Sequence, residues 1–251
     1  MKNYVVWTNC TVNESDDTVT KFNLAPVNND AARNGYSQIN KISRDSAKKY
    51  LQGTWEEIVY TDPAPSRTAI FQRNWQRIHD LWHKEPCNIL YLDSDTIIIR
   101  PTEIFDRFAE FRVFNWTDPK FNEKFENLFN AGVRYYPATM SRDLWTVGNE
   151  MAKNWDLDNW NQEQEIFNTM FWQQHVPDPH HPELNWQGMI LHQRSHQAVD
   201  LLNQWNALPI DNAHIIHVHG SRNIEETVNV MSIFANNSGA YGKYTQTSRY
   251  S

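Results

Sequence analysis

The hydrophobic positions of the chain fall into two patterns, short apolar runs and longer stretches in which apolar residues recur every three or four positions. Runs of about five residues are typical of buried strands, and the longer period is typical of helices that pack one face on a core. The predicted strands cover residues 4–8, 57–61, 88–92, 96–99, 111–116, 132–136 and 213–218. The predicted helices cover residues 43–52, 68–82, 101–108, 141–155 and 162–173, the first of them capped by Ser43. Strands that alternate with helices predict an α/β protein with a mostly parallel sheet.

One apolar stretch, LYLDSDTIII at 90–99, is interrupted by two aspartates one residue apart. Ionised carboxylates are costly among apolar neighbours unless a cation or hydrogen-bond donors compensate them. Asp93 and Asp95 follow the carboxyl end of a predicted strand, which is where open α/β sheets bind ligands. Both side chains can turn toward one hard cation. The alternative is a solvated turn, which the apolar strand on each side disfavours.

The composition limits the classes of partner. The chain has 251 residues, of which 40% are hydrophobic and 21% are charged, and its net charge is -7. No linker or repeat divides it, so we expect a single globular domain. The negative charge argues against a general nucleic-acid-binding protein, and an anionic substrate would need a metal ion or a few arginines. The sequence has no signal peptide and no apolar stretch of membrane-spanning length, which predicts a cytoplasmic protein.

Four motifs stand in this order along the chain: ILYLDSDTIIIRPTEIFD at 89–106, FNAGVRYY at 129–136, EQEIFN at 163–168 and HVHG at 217–220. They resemble those of GT-A-type sugar-nucleotide glycosyltransferases. The similarity is closest to family 8, the retaining galactosyl- and glucosyltransferases that include glycogenin-like enzymes. The resemblance implies a GT-A fold, in which a single Rossmann-like sheet is flanked by helices and carries the DxD motif at a strand end. Within one domain we expect a mainly nucleotide-binding half at 1–100, a donor-sugar and acceptor half at 101–240, and a mobile tail at 241–251.

The resemblance also implies a metal site. Asp93, Asp95 and His217 would bind Mn²⁺, with Mg²⁺ as a possible substitute, because mixed carboxylate and imidazole ligands suit such ions. The H-x-x-G spacing selects His217 as the ligand, and His219 stays open as the alternative. A sugar nucleotide would be the donor substrate.

Further residues receive roles in donor binding by the same resemblance. Asn130 would hold the donor sugar, with Ala131 and Gly132 leaving room for its ring. Gln164 would lie beneath the anomeric carbon, between Glu163 and Glu165, where the family usually has aspartates. These two acids also suit the first turn of a helix, which favours negative charge. The residues expected to contact the nucleotide are Thr8, Asn9, Arg73, Arg77, Ser94, Gly220 and Arg222.

The sequence therefore predicts a metal-dependent, retaining glycosyltransferase that moves a hexose from a nucleotide-diphosphate sugar, by resemblance a UDP-sugar, to a saccharide or other hydroxyl acceptor. Two alternatives stay open. Residues 93–96 also fit the D-x-D-x-T motif of haloacid-dehalogenase-type phosphatases, in which the first aspartate attacks phosphorus, although the lysine and acidic motif that those enzymes need are not evident. The other alternative is a GT-A-like module that binds carbohydrate without turnover. The sequence does not name the sugar, the base, the acceptor or the oligomeric state.

Overall fold

A computed structural model describes residues 1–10, 30–105, 108–116, 129–156, 162–174, 190–194, 214–219 and 224–241. The strands are β1 (Lys2–Thr8), β2 (Glu56–Tyr60), β3 (Cys87–Leu92), β4 (Thr96–Ile98), β5 (Arg112–Trp116), β6 (Phe129–Tyr136), β7 (Ile190–Arg194) and β8 (Ile215–His219). The helices are α1 (Asp30–Tyr50), α2 (Arg67–Lys84), α3 (Arg142–Ala152), α4 (Gln162–Gln174) and α5 (Ile224–Tyr241). This succession confirms the predicted α/β class and places Asp93 and Asp95 directly after a strand.

The strands form two sheets. The larger has the order β2-β1-β3-β6-β5, in which β1 pairs in parallel with β2 and β3, and β6 pairs antiparallel with both β3 and β5. The smaller has the order β4-β8-β7, with β4 antiparallel and β7 parallel to β8. The parallel pairing predicted from the alternation of elements is thus found in the half of the large sheet that ends at the two aspartates.

Alternate residues of the large sheet point to two separate cores, as the two-residue period of a strand requires. One core lies under α2, α3 and α4 and is rich in aromatic side chains, among which Tyr136 stacks on Trp145 with ring centroids 5.5 Å apart. The opposite core contains Trp7 and residues of α1. A third core joins the small sheet to α1 and α5 through Ile39, Ile216 and Phe234. The sheet that carries the aspartates is therefore covered on both faces.

Hydroxyl side chains begin two of the helices. Ser66 precedes α2 and accepts a hydrogen bond from the Ala69 N–H at 3.2 Å, and Ser141 precedes α3 and accepts one from the Asp143 N–H at 3.2 Å. Such caps use backbone donors that have no partner inside the helix. The predicted cap at Ser43 is wrong, because α1 begins at Asp30. Ser43 lies inside that helix, where its hydroxyl accepts a 2.9 Å hydrogen bond from the buried indole of Trp7.

The helix predicted from residue 101 is also wrong across residues 101–105, where the structure has none. The backbone of Thr102 is bonded elsewhere: its N–H donates to the Tyr50 carbonyl and its carbonyl accepts from the Gln52 N–H, both at 2.9 Å. The segment therefore binds the chain that leaves α1, and Ile104 is buried there.

Candidate metal centre and donor site

A tight turn between β3 and β4 presents the two aspartates. The Asp93 N–H donates to the Gly132 carbonyl at 2.8 Å, which extends the pairing of β3 with β6 by one residue. Thr96 closes the turn, since its N–H and its hydroxyl both donate to the Asp93 carbonyl, at 3.1 and 2.7 Å. With Asp93 and Asp95 fixed on one turn, both carboxylates can face the same point.

A histidine from the far end of the sequence meets these carboxylates. Thr96 pairs with His217 in the register of β4 and β8, and the Asp95 carbonyl accepts a hydrogen bond from the Val218 N–H at 2.9 Å. The buried His217 then places its Nε2 3.1 Å from Asp95 Oδ1 and 3.8 Å from Asp93 Oδ2. One ligand atom from each of the three residues lies within 4.8 Å of the others. We call Asp93, Asp95 and His217 the triad.

Gly132 on β6 makes room for the triad. A Cβ atom at this position would collide with Cε1 of the His217 ring and lie 2.8 Å from its Nδ1 and 2.9 Å from Oδ2 of Asp93. The sequence motif predicts that this glycine leaves space for a sugar ring. Its described neighbours are the imidazole and the carboxylate, so the glycine allows these ligands to approach each other, and its role toward a sugar stays a prediction.

The electrostatics of the triad favour a cation. Burial raises the pKa of Asp93, and the neighbouring charge of Asp95 raises it further, against opposition from His217 and Arg134. Burial alone would lower the pKa of His217, but the carboxylates of Asp95 and Asp93 outweigh it and raise that pKa. Two partly exposed carboxylates thus share one buried imidazole, and a divalent cation would reduce the repulsion between them.

The distances fit a small divalent ion. Donor atoms at about 2.1 Å from an octahedral ion are about 3 Å apart when adjacent and about 4.2 Å apart when opposite. The triad distances of 3.1 and 3.8 Å lie in this interval. Carboxylates suit hard ions such as Mg²⁺ and Mn²⁺, and imidazole is a common ligand of first-row transition metals. A set of two carboxylates and one imidazole therefore suits Mn²⁺, with Mg²⁺ as a possible substitute. The residues present therefore fit the metal that the DxD motif implies.

A polar cavity adjoins the turn on the side of α1. The Ser94 hydroxyl donates to the Thr8 carbonyl at 2.7 Å and accepts from the Asn40 side-chain amide at 3.0 Å. Asn40 also lines a cavity of about 320 Å³, together with Asn9 and residues of α1. The cavity is bordered by Asn9, Ser37, Asn40, Lys41, Arg44, Asp45 and Lys48. Thr8, Asn9 and Ser94, three of the residues expected to contact a nucleotide, thus lie at or beside one polar cavity.

Arg73 and Arg77 of α2 are bound to the segment that follows β2. Arg73 is exposed and donates to the Pro63 carbonyl. Arg77 forms an ion pair with Asp62, and its guanidinium lies 4.4 Å from the centre of the Tyr60 ring. Neither contact is to the triad, so a role for these arginines in donor binding stays a prediction.

The start of α4 supplies the predicted catalytic group. Glu163 is buried and accepts a 2.7 Å hydrogen bond from Arg134 Nη1 on β6. Gln164 and Glu165 are half-buried in the first turn, where their carbonyls accept hydrogen bonds from side chains one turn later. Of the remaining predicted residues, Ala131 is buried in the aromatic core. The side chains of Asn130 and His219, and all of Gly220 and Arg222, lie outside the described residues.

Arg134 is a residue near the site to which the motifs assign no role. It is fully buried on β6, two residues after Gly132. The signal in the sequence is an arginine inside the strand FNAGVRYY, because a buried guanidinium needs a carboxylate or aromatic partner. The sequence does not say which carboxylate this is, since Glu163 lies 29 residues away.

Comparison with known proteins gives structural neighbours only. No protein-family model and no curated protein sequence matches the chain. A glycosyltransferase involved in the glycosylation of the major capsid of PBCV-1 is 12% identical, with a TM-score of 0.49 over 93% of this chain and 100% of that chain. The apo-form glycosyltransferase GlyE of Streptococcus pneumoniae TIGR4 is 13% identical, with a TM-score of 0.45 over 96% of this chain and 64% of that chain.

A third solved structure is the galactosyltransferase LgtC in complex with donor and acceptor sugar analogs. It is 12% identical, with a TM-score of 0.44 over 93% of this chain and 95% of that chain. Likeness at this level does not carry a functional argument, so the chemistry of the site has to be judged from its own residues. Within the described residues, no helix has the length and apolar character needed to cross a membrane.

Proposed function

We propose that this protein is a metal-dependent glycosyltransferase whose donor is a nucleotide-diphosphate sugar. The observation that carries the proposal is the convergence of Asp93, Asp95 and His217 at the end of β3, beside a polar cavity that reaches Asn9. These three residues would hold a divalent ion, which would supply Lewis-acid stabilisation of the charge that develops on the leaving diphosphate.

The polar cavity is the proposed place of the nucleoside. Its amide side chains at Asn9 and Asn40 can form hydrogen bonds with a base or a ribose. The residues of 1–100 would then bind the nucleotide, and those of 101–240 would bind the sugar and the acceptor. This division follows the order of the motifs along the chain.

The finer assignment is a retaining transfer of a hexose from a UDP-sugar with Mn²⁺, and the four motifs support it. In this mechanism the bond between the anomeric carbon and the diphosphate oxygen breaks, and its electron pair leaves with the diphosphate. The acceptor oxygen bonds to the same face of the sugar, and its proton passes to the departing diphosphate. Gln164 would lie beneath the anomeric carbon, with Glu163, Glu165 and Asn130 binding the sugar.

The first experiment measures release of nucleoside diphosphate from a panel of UDP-, GDP- and TDP-sugars, with MnCl₂, with MgCl₂ and with EDTA. We expect one donor to be hydrolysed slowly in the presence of metal and not in EDTA, and the same donor to raise the thermal midpoint. The Asp95→Asn variant is the matched control, because it keeps the shape of the side chain and removes a metal-binding oxygen.

Two results would contradict the proposal. Phosphate release from small phosphomonoesters through a covalent aspartyl-phosphate on Asp93 would indicate a phosphatase. Saturable binding of free saccharides, without metal and without release of nucleotide from any donor, would indicate a carbohydrate-binding module.

A further inference from the structure

Arg134 lies directly below the triad on the same face of the large sheet. The cross-strand pairs of β3 and β6 include Tyr91 with Arg134, and the Asp93 N–H bonds to the Gly132 carbonyl two residues further on. Side chains two residues apart on a strand share a face and are about 7 Å apart. Asp93 and Gly132 thus form one layer of this face, and Tyr91 and Arg134 form the layer beneath it.

Three groups fix the Arg134 guanidinium in place. Its carbon lies 3.9 Å from the centre of the Tyr91 ring and 4.1 Å from the centre of the Phe167 ring, so the cation is held between two aromatic faces. Its Nη1 donates to Oε1 of Glu163 at 2.7 Å. This clamp leaves little freedom to either partner, and it determines where the Glu163 carboxylate stands.

The side chains of Arg134 and Glu163 differ in solvent exposure. The Arg134 side chain is 0% exposed, whereas that of Glu163 retains 11% exposure. Glu163 is also electrostatically close to the triad: burial raises its pKa, Arg134 opposes that rise, and the charge of Asp93 adds to it. Glu163 is therefore the member of the pair that a ligand near the triad can reach, and Arg134 stands behind it.

The hydrogen bonding differs from that of an ion pair built only for stability. A guanidinium and a carboxylate commonly form two parallel hydrogen bonds. Here Nη1 bonds to Glu163, and within the described part of the chain Nε and Nη2 of Arg134 are buried without a hydrogen-bond partner. Such unused buried donors are unfavourable, so the arrangement holds the carboxylate in a particular place at some loss of stability.

We propose that Arg134 is a positioning residue for the donor sugar, which holds the Glu163 carboxylate below the triad as a fixed acceptor for hydroxyl groups of that sugar. The inference rests on the proposed function. The inference goes beyond the proposed function because recognition of the sugar would depend on Arg134, a residue that the sugar does not touch. Loss of Arg134 would affect the sugar part of the donor and leave the diphosphate and the metal bound as before.

The test compares Arg134→Met with Arg112→Met. Arg112 is a matched control on the adjacent strand β5, because it is ion-paired with Glu110 at 3.3 Å and lies over the Phe108 ring. For each variant we would measure kcat and KM with the sugar nucleotide that the wild type hydrolyses. We would also measure, by calorimetry with MnCl₂, the affinity for the matching nucleoside diphosphate, which is UDP for a UDP-sugar. UDP lacks the sugar, so it separates effects on the sugar from effects on the metal.

We expect Arg134→Met to lower kcat/KM for the sugar donor on the order of 100-fold, as misplacement of a binding group does. The affinity for UDP with MnCl₂ should change by less than about threefold, and Arg112→Met should leave both quantities near wild type. Arg134→Lys should recover part of the loss, since lysine keeps the charge but not the planar stacking. Arg134→Met combined with Glu163→Gln should be no worse than Glu163→Gln alone, because the two residues act through one carboxylate.

Several outcomes would overturn the inference while the proposed function stands. These are a kcat/KM for Arg134→Met close to wild type, an equal loss of affinity for UDP with MnCl₂, or additive effects of the two substitutions. If Arg134→Met does not fold, Arg134→Lys and Glu163→Asp give the same test with the charges retained. A wild-type protein that hydrolyses none of the sugar nucleotides with metal would overturn the proposed function and this inference together.

Discussion

Two layers of charge lie one below the other on the same face of the large sheet, and they differ in burial and in balance: Asp93 and Asp95 are partly exposed, whereas Arg134 is fully buried. The upper layer, the triad, has two carboxylates and one imidazole. The lower layer, Arg134 with Glu163, has one cation and one carboxylate between aromatic rings. Buried charge persists only where it is paired. The lower layer is charge-paired within the protein, whereas the upper one has more carboxylates than cations, and the proposed divalent ion would balance them.

The sharpest way to break the upper layer is Asp95→Asn. We expect donor turnover to fall at least about a thousandfold, or about 4 kcal/mol of transition-state stabilisation, because a ligand of the Lewis acid is lost. The thermal midpoint without metal should stay close to that of wild type, since the like charge beside Asp93 is removed. Nucleoside diphosphate release and thermal denaturation with and without MnCl₂ measure both. A variant that keeps most of its activity would contradict the metal role of Asp95.

Breaking the lower layer should have the opposite signature. Arg134→Met leaves Glu163 buried without its cation, and we expect the free energy of unfolding to fall by about 3 kcal/mol or more without any metal present. Arg134→Met with Glu163→Gln should recover much of this loss, because neither partner is then an unpaired charge. Urea denaturation of the two variants measures the difference. Equal stability of the single and the double variant would show that the pair is not coupled.

Two glycines sharpen the comparison between site and core. Gly132→Ala would place a methyl group against His217 and Asp93, and we expect Mn²⁺ affinity to fall by about 10- to 100-fold. Gly148→Ala on α3 would collide with the Trp75 ring in the aromatic core and should cost about 1–3 kcal/mol of stability. Calorimetric Mn²⁺ titration and urea denaturation of both variants separate the effects. If Gly148→Ala weakened metal binding as much as Gly132→Ala, the loss would reflect general strain.

The smallest effect is expected at a charge cluster near the surface. Glu57 on β2 is paired with Arg44 and Lys48, and the hydrogen bond from Arg44 is the main cause that lowers the pKa of its carboxyl. Because the pKa of Glu57 is lower in the folded state, its ionised carboxylate stabilises the fold at pH values above the unfolded-state pKa of about 4.3. This stabilisation is lost as the pH falls through the folded-state pKa.

Glu57→Gln should therefore destabilise the protein at pH 7 by less than about 1 kcal/mol, as is usual for such pairs. The difference from wild type should shrink to nothing in acid. Urea denaturation at several pH values between neutral and about 3.5 measures this. A difference that grows in acid would have the wrong sign for a carboxylate with a lowered pKa.

The parts of the site that sequence predicts are those written in local pattern. Asp93 and Asp95 interrupt an apolar run, which marks the end of β3 directly, and the H-x-x-G motif points to His217 in the histidine pair of β8. The structure brings these three residues together. The strands β1 and β3 can also be predicted from local sequence, since each is a short apolar run.

What sequence could not supply depends on contacts between distant residues. Nothing near Arg134 names Glu163 as its partner, because the pairing is created by α4 packing on β6. Serine is a residue type that often caps helices, but Ser43 lies inside α1 and its hydroxyl accepts a hydrogen bond from the Trp7 indole. Residues 101–105 carry a helical pattern, yet Thr102 bonds to the chain after α1. In each case a tertiary hydrogen bond overrides a local preference.

The pairing of β4 with β8 sets the order in which the metal centre can be completed. Asp95 and His217 are separated by 122 positions along the chain, and they meet only when β8 has docked beside β4. We expect contacts between such distant residues to form late in folding, because closing a long loop costs conformational entropy before the contact itself contributes any stability. During synthesis the two aspartates are made well before their third partner. Tight binding of the proposed metal would therefore require β8 to have docked beside β4, and it would report complete folding of the site.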